Sequence, residues 1–273
     1  LSLRRLEVER RPVDVAAYRG AFADASHVEA ELAEPCAVYV DGAEQPSVVY
    51  VELEERQPNA VAALRSLRYS TGYRLRGLPS TSRTFGYAPP IVSRGRETCD
   101  EAKLAREAPA AHSTIAGLAE VVEREYREHN AEAYAEHAAT VAKVLPEWRL
   151  SGGVFTSGIV NYNNKLPYHF DGGNFPECWS NMLVFKASCQ GGDLVCPELG
   201  LCFRLRDHSL FMFDGQAILH GVSPFRFVRP EGYRYSVVFY SLQQMWRCDT
   251  KAEIVQASAR RRTERERRRF APS

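Results

Sequence analysis

After Pro146 the chain alternates short apolar runs with turn residues: VFTSGIVNYN, SNMLVFKAS, DLVCPEL, LCFRLR, SLFMF, AILHGV and YRYSVVFYSL. Strands this short, separated by Gly191-Gly192 and Asp214-Gly215, predict a compact antiparallel sandwich or jelly roll. Between residues 110 and 144 the spacing is helical instead. Ile115, Leu118, Val121, Val122 and Tyr126 form one stripe, and Tyr134, Ala138, Val141 and Val144 a second, with Asn130 and Pro146 as punctuation. These helices are expected to pack outside one sheet. Nearer the start, VAAYRGAFADA reads as a short helix, and CAVYVDG and SVVYVELEE as two strands around an Asp41-Gly42 turn, at the edge of a mixed fold. Residues 70–99, rich in Gly, Pro, Ser and Arg, read as an extended arm or loop rather than a core element. The predicted class is α+β, a double-stranded β-helix (jelly-roll) core with amino-terminal helices on one sheet. The expected divisions are 1–109, a mixed region with a basic arm; 110–250, helical support and core; and 251–273, a basic tail or solvated helix.

Composition changes this picture in two places. The 273 residues carry a net charge of only +1, yet residues 29–55 hold eight acids without Lys or Arg, and residues 65–96 hold seven arginines without an acid. The second segment is a basic surface suited to phosphates. Seven cysteines without a Cys-x-x-Cys pair fit neither a zinc knuckle nor a secreted disulfide frame, and buried free thiols are expected. No apolar stretch approaches a membrane span, and LSLRRLEVERR is too charged for a signal sequence, so a soluble intracellular protein is expected.

The candidate chemistry centres on YHFDGGN, residues 168–174. His169 and Asp171 are two apart, so at the end of a strand both side chains share a face. His220, in AILHGVSPF, is the expected third ligand on a later strand. Two imidazoles and a carboxylate on one face of a metal leave open positions, the arrangement of non-haem Fe(II) oxygenases. A 2-oxoglutarate cosubstrate also needs a cation for its far carboxylate, and Arg234 with Ser236, in YRYSVVFY, supplies one beside a hydroxyl. His208 is expected at a surface turn; His27, His112, His129 and His137 fall on or near helices, away from the metal.

The ordered set, His-x-Asp, then His, then Arg-x-Ser, resembles the Fe(II)/2-oxoglutarate dioxygenase superfamily. Within it, SRTFGY, FTSGIVNYNNKLPYHFDGGN, GGDLVCPELG, LFMFDGQAILHGVSP and RYSVVFY make residues 80–245 similar to the TET/JBP branch, which oxidises the 5-methyl group of pyrimidines in nucleic acid. The resemblance implies Fe(II), 2-oxoglutarate and O2 as cofactors, and His169, Asp171 and His220 as the metal and catalytic residues. It also implies Arg234 and Ser236 at the cosubstrate and Asn174 at the flipped base. The arm arginines, Arg83 and Arg94 among them, are expected at the phosphates of DNA containing a 5-methylpyrimidine. The chain departs from the family in two respects: Leu242 stands where a histidine often packs on the base, and Asn163 and Asn164 where an arginine often precedes His-x-Asp. With no cysteine-rich region, the chain looks like a small microbial or phage form, placed in the host cytoplasm if phage-encoded or the nucleus if eukaryotic. The expected activity is hydroxylation of 5-methylcytosine to 5-hydroxymethylcytosine. The alternatives are a thymine hydroxylase, the same fold acting on a protein or metabolite, and a nucleic-acid-binding module with a decayed site.

Overall fold

The computed structural model describes residues 3–73, 79–91 and 95–269. The amino-terminal part supplies β1 (Arg4–Val8), α1 (Val15–Tyr18), β2 (Ala30–Leu32), β3 (Cys36–Val40), β4 (Val48–Glu52), α2 (Pro58–Ser66), β5 (Gly72–Tyr73), β6 (Pro79–Ser80), β7 (Ser82–Ala88) and β8 (Asp100–Glu101). Three helices follow: α3 (Lys103–Glu107), α4 (Pro109–His129) and α5 (Ala131–Val141). The rest is β9 (Ser157–Tyr162), β10 (Ser180–Ala187), β11 (Cys189–Gly191), β12 (Leu194–Cys196), β13 (Leu201–Phe203), β14 (Ser209–Phe213), β15 (Gly221–Val222), β16 (Phe225–Phe227), β17 (Tyr233–Tyr240) and α6 (Lys251–Arg269).

A nine-stranded sheet runs β1-β3-β4-β14-β10-β17-β9-β7-β8, and a four-stranded sheet, β15-β12-β13-β2, faces it. β10 shows why the two layers hold together. Its odd positions, Leu183 and Phe185, pack with Ile115, Leu118, Val122 and Tyr126 of α4. Its even positions, Met182 and Val184, pack with Leu194, Leu201, Phe203 and Val222 of the small sheet. A strand covered on both faces has no polar side to show, and this one is buried over its first six residues. The result is the α+β double-stranded β-helix with helices on one sheet. β1, β3, β4 and β7 join strands from beyond residue 109 in a single sheet.

Three features differ from the sequence reading. Residues 82–88 form a strand inside the large sheet, between β9 and β8, with Phe85 fully buried edge-on to Phe239 at 5.2 Å. Gly158 allows this, since a Cβ there would lie 2.1 Å from the Phe85 ring. Ser82 and Thr84 occupy its other face and Arg83 interrupts the apolar one, which hid the pattern. Second, Cys99 and Cys248 form a disulfide across 149 residues, joining the loop before β8 to the start of α6. Residues from two distant segments meet there, which spacing alone does not reveal. Third, His208 is buried, edge-on to Phe185 at 4.9 Å and beside Asp207, on a residue with a positive φ of 64°. In the acidic stretch, Glu29, Glu31, Glu34 and Glu52 pair with Arg11, Arg204 and Arg206.

The carboxy-terminal segment is a helix, α6, opened by a reciprocal cap in which Thr250 Oγ1 accepts from Glu253 N and Glu253 Oε2 accepts from Thr250 N. Among the described residues no helix is long and apolar enough to cross a membrane.

The disulfide makes a count. Unreduced, denatured protein should give five thiols by colorimetric titration and seven after reduction. Seven without reduction would contradict the Cys99–Cys248 pairing.

Candidate metal centre

The chain leaves β9 at Tyr162 and crosses to the small sheet, where Tyr168 N donates to Ala21 O and Val222 N to Leu166 O. There His169 and His220 exchange backbone hydrogen bonds, His169 N to His220 O at 2.9 Å and the reverse at 3.1 Å. The sequence reading put His169 at a strand end; it lies in the crossing segment, and this bridge gives it the local geometry of a strand. The two rings stand side by side, centroids 4.4 Å apart. Each Nδ1 is hydrogen-bonded to a backbone carbonyl two residues back, His169 to Pro167 O at 2.8 Å and His220 to Ile218 O at 2.9 Å. A carbonyl can only accept, so both rings carry the proton on Nδ1 and present Nε2 as a lone pair.

Asp171 N donates to Gly215 O, and its Oδ1 lies 3.7 Å from His169 Nε2 and 3.8 Å from His220 Nε2. These separations are too long for hydrogen bonds. They suit three donors around one ion, and all three ligand atoms fall within 4.8 Å of one another. Ser180 Oγ donates to Asp171 Oδ2 at 2.7 Å, holding the carboxylate's orientation. Gly215 leaves it room, because a Cβ there would sit 2.2 Å from Oδ2. The donor set, two neutral imidazoles and a carboxylate with aligned outer contacts, fits a divalent iron.

The three residues open on a cavity of about 280 Å³. Its walls are apolar at Ile159, Leu166, Met182, Leu194, Phe213 and Val222, and polar at Asn161, Asn174 and Ser236. Ser236, Val238 and Tyr240 face it from β17, and Arg234 begins the same row. The Arg234 side chain is completely buried, its Nε donating to Gly192 O at 2.9 Å. Its NH2 has no partner. Burial pushes its pKa down to about 10, so it stays cationic at neutral pH. A buried guanidinium left with an unused donor fits a ligand carboxylate as its missing acceptor. Gly192, at φ +75°, permits the packing, since a Cβ would approach Arg234 Cδ and Nε to 2.6 Å.

Asn174 and Leu242 also line the cavity and form a backbone bridge with each other. Of the two arm arginines expected at the substrate, Arg83 does not reach the cavity. Arg83 points to the helical face of the sheet, where it pairs with Glu107 and donates to Arg68 O at 2.9 Å. Because Ser82 next to it turns inward to bond Asn161 at 2.7 Å, alternation sends Arg83 outward. Arg94 lies outside the described residues. Sequence reading missed Ser180 and Gly215; neither has a local signature, since each acts by meeting Asp171 across the fold.

The fold and this site define an oxygenase of the Fe(II)- and 2-oxoglutarate-dependent class. Residues 91–243 match Tet_JBP, the oxygenase domain of the 2OGFeDO superfamily, and the chain belongs to that family. Oxygenases of that superfamily use Fe(II), 2-oxoglutarate and O2. A curated relative is the bifunctional helicase and thymine dioxygenase JBP2 of Leishmania braziliensis, 25% identical over 166 residues. That match covers 60% of this chain but 15% of the relative, so the chain spans a small part of it. Among solved structures, NgTET1 in complex with 5mC DNA shares the fold at a TM-score of 0.58 and 10% identity, over 84% of this chain and 86% of that one.

Replacing Arg234 by Met should lower 2-oxoglutarate affinity at least tenfold by calorimetry on the Mn(II)-loaded protein while leaving metal affinity unchanged. Unchanged 2-oxoglutarate affinity would remove Arg234 from the site.

Proposed function

We propose that this chain hydroxylates the 5-methyl group of 5-methylcytosine in DNA, giving 5-hydroxymethylcytosine. In this reading His169, Asp171 and His220 hold Fe(II), and Arg234 with Ser236 takes the far carboxylate of 2-oxoglutarate. Once bound, the iron supplies the oxidising chemistry, in which 2-oxoglutarate and O2 are consumed and one oxygen atom enters the methyl C–H bond. The protein contributes geometry and dryness. Apolar walls keep water from the reacting carbon, and Asn174 with Leu242 bounds the place a flipped pyrimidine occupies.

The choice of cytosine over thymine rests on one chain of hydrogen bonds. Ser180 has a single hydroxyl proton, and it goes to the Asp171 carboxylate, which can only accept. The Ser180 oxygen must therefore accept from Asn174 Nδ2, 3.2 Å away. The amide is thereby oriented, and Oδ1 is what Asn174 offers an incoming base. An acceptor matches the 4-amino donor of cytosine and opposes the 4-carbonyl of thymine. A mismatch of this kind, with a buried acceptor facing another, costs about 1–3 kcal/mol, or roughly fivefold to 150-fold. The names of the two relatives, one bound to 5mC DNA and the other a thymine dioxygenase, support a 5-methylpyrimidine without choosing between them.

Nucleoside mass spectrometry of DNA treated with the protein, Fe(II) and 2-oxoglutarate tests the reading. 5-Hydroxymethylcytosine should form from methylated duplex at least ten times more efficiently than 5-hydroxymethyluracil forms from thymine, and Asn174→Ala should erode that ratio. Preferential oxidation of thymine would overturn the assignment, and oxidation of neither would move the substrate outside DNA.

A further inference from the structure

The arm arginines were the expected DNA contacts, yet Arg83 is committed elsewhere. A surface away from Arg83 has the chemistry. The chain that leaves the cavity wall at Leu242 makes a tight turn, Gln243–Arg247, before α6. The turn is anchored on both sides. Gln243 N donates to Gly173 O at 2.9 Å, Met245 is fully buried, and Cys248 closes the disulfide. Phe175, next to Asn174, packs in the same small apolar cluster as Met245 and Cys248. What the anchored turn shows to solvent is Gln243, Gln244, Trp246 and Arg247. Trp246 is 49% exposed, although nearby apolar residues are sheltered, and the Arg247 guanidinium lies 5.3 Å over its ring.

Beyond this turn, α6 carries eight basic and three acidic side chains. Its root is fixed by Lys251, whose ammonium sits over the rings of Tyr87 at 4.8 Å and Trp148 at 5.2 Å. Arg261, Arg262 and Arg265, spaced three and four apart on one helical face, line a groove of about 840 Å³ with Arg96 and Arg106 opposite. Three of these cations touch carboxylates, Arg261 with Glu97, Arg262 with Glu266 and Arg106 with Asp100, in pairs exposed to water. Such pairs are weak and exchange readily for phosphate. Among the described residues no carboxylate lies within ion-pair distance of Arg265 or Arg247.

We propose that the Gln243–Arg247 turn and the groove face of α6 form the duplex-binding surface, with Trp246 as the wedge that fills the stack beside the extruded base and the α6 arginines on the flanking phosphates. This rests on the base-oxidation reading above. An indole rigidly presented a few residues from a cavity wall can replace the stacking that an extruded base gives up. The arginines supply the sequence-independent attraction that holds the backbone alongside. A single-stranded substrate has no stack to reopen, so the wedge should matter for duplex alone.

The experiment compares turnover of one 5-methylcytosine oligonucleotide as duplex and as single strand. Trp246→Ala should lower duplex kcat/KM at least tenfold and single-strand kcat/KM less than twofold, with Trp246→Phe close to wild type on both. Fluorescence of 2-aminopurine at the target position, measured on Mn(II)-loaded protein without O2, should rise with wild type and not with Trp246→Ala. For the helix, Arg262→Ala with Arg265→Ala should reduce the slope of log Kd against log salt by about two, at roughly 0.9 per phosphate contact. Equal losses on both strand forms, or none on duplex, would overturn the wedge while base oxidation stands. An unchanged salt slope would overturn the phosphate contacts. If wild-type protein oxidises neither strand form, the base-oxidation reading fails and this surface falls with it.

Discussion

The site depends on a reciprocal pair of backbone hydrogen bonds between His169 and His220. The two residues are 51 positions apart in the sequence. One arrives on a segment that has just left the large sheet, and the other immediately precedes β15 of the small one. Locking their backbones together sets the spacing of the two imidazoles before any side chain is considered. Side-chain ligands alone could drift by an ångström or more, whereas a bridge of this kind fixes both Cα positions, and the carbonyl bonds at each Nδ1 then fix the ring planes. Asp171 follows two residues later and is held by Gly215 and Ser180. Further support comes from Glu198, a nearly buried carboxylate that accepts from Leu219 N at 2.7 Å, one residue before the second histidine.

The same two-layer construction divides the work of β17. Tyr235, Val237 and Phe239 face the helices and carry packing. Ser236, Val238 and Tyr240 line the cavity, and Arg234 begins the same row. A buried cation without a full set of acceptors is costly in the free protein. A ligand carboxylate reaching that unused donor would relieve the cost. His137 has the opposite character. It is completely buried, bonded to Ser241 at 2.8 Å, and burial pushes its pKa down to about 3, so it serves the helix-to-sheet contact as a neutral ring.

Much of this was legible in the sequence because it depends on periodicity. The α4 stripe, the Asp41-Gly42 turn, the β-rich second half and the alternation of Arg234 and Ser236 are local patterns with fixed geometric meaning. The His-x-Asp…His…Arg-x-Ser order brought the family within reach, and the match over residues 91–243 bears it out. What escaped was set by contacts between remote segments. Phe85 is buried because Gly158 leaves a hole for it, Cys99 finds Cys248, and the arm arginine Arg83 finds Glu107. The amide of Asn174 is oriented by a serine whose importance appears only once Asp171 is beside it. The charged runs find their partners in remote segments too: Glu29, Glu31, Glu34 and Glu52 pair with Arg11, Arg204 and Arg206, and Arg83 with Glu107.

The most direct test of the account is the iron stoichiometry of anaerobically loaded protein, measured for wild type and for His169→Ala, Asp171→Ala and His220→Ala variants that retain the wild-type fold by circular dichroism. One Fe(II) per wild-type chain and near-complete loss in each variant is the result the site geometry predicts. Full iron binding by any of the three variants would show that the metal is held elsewhere and would contradict the account at its centre.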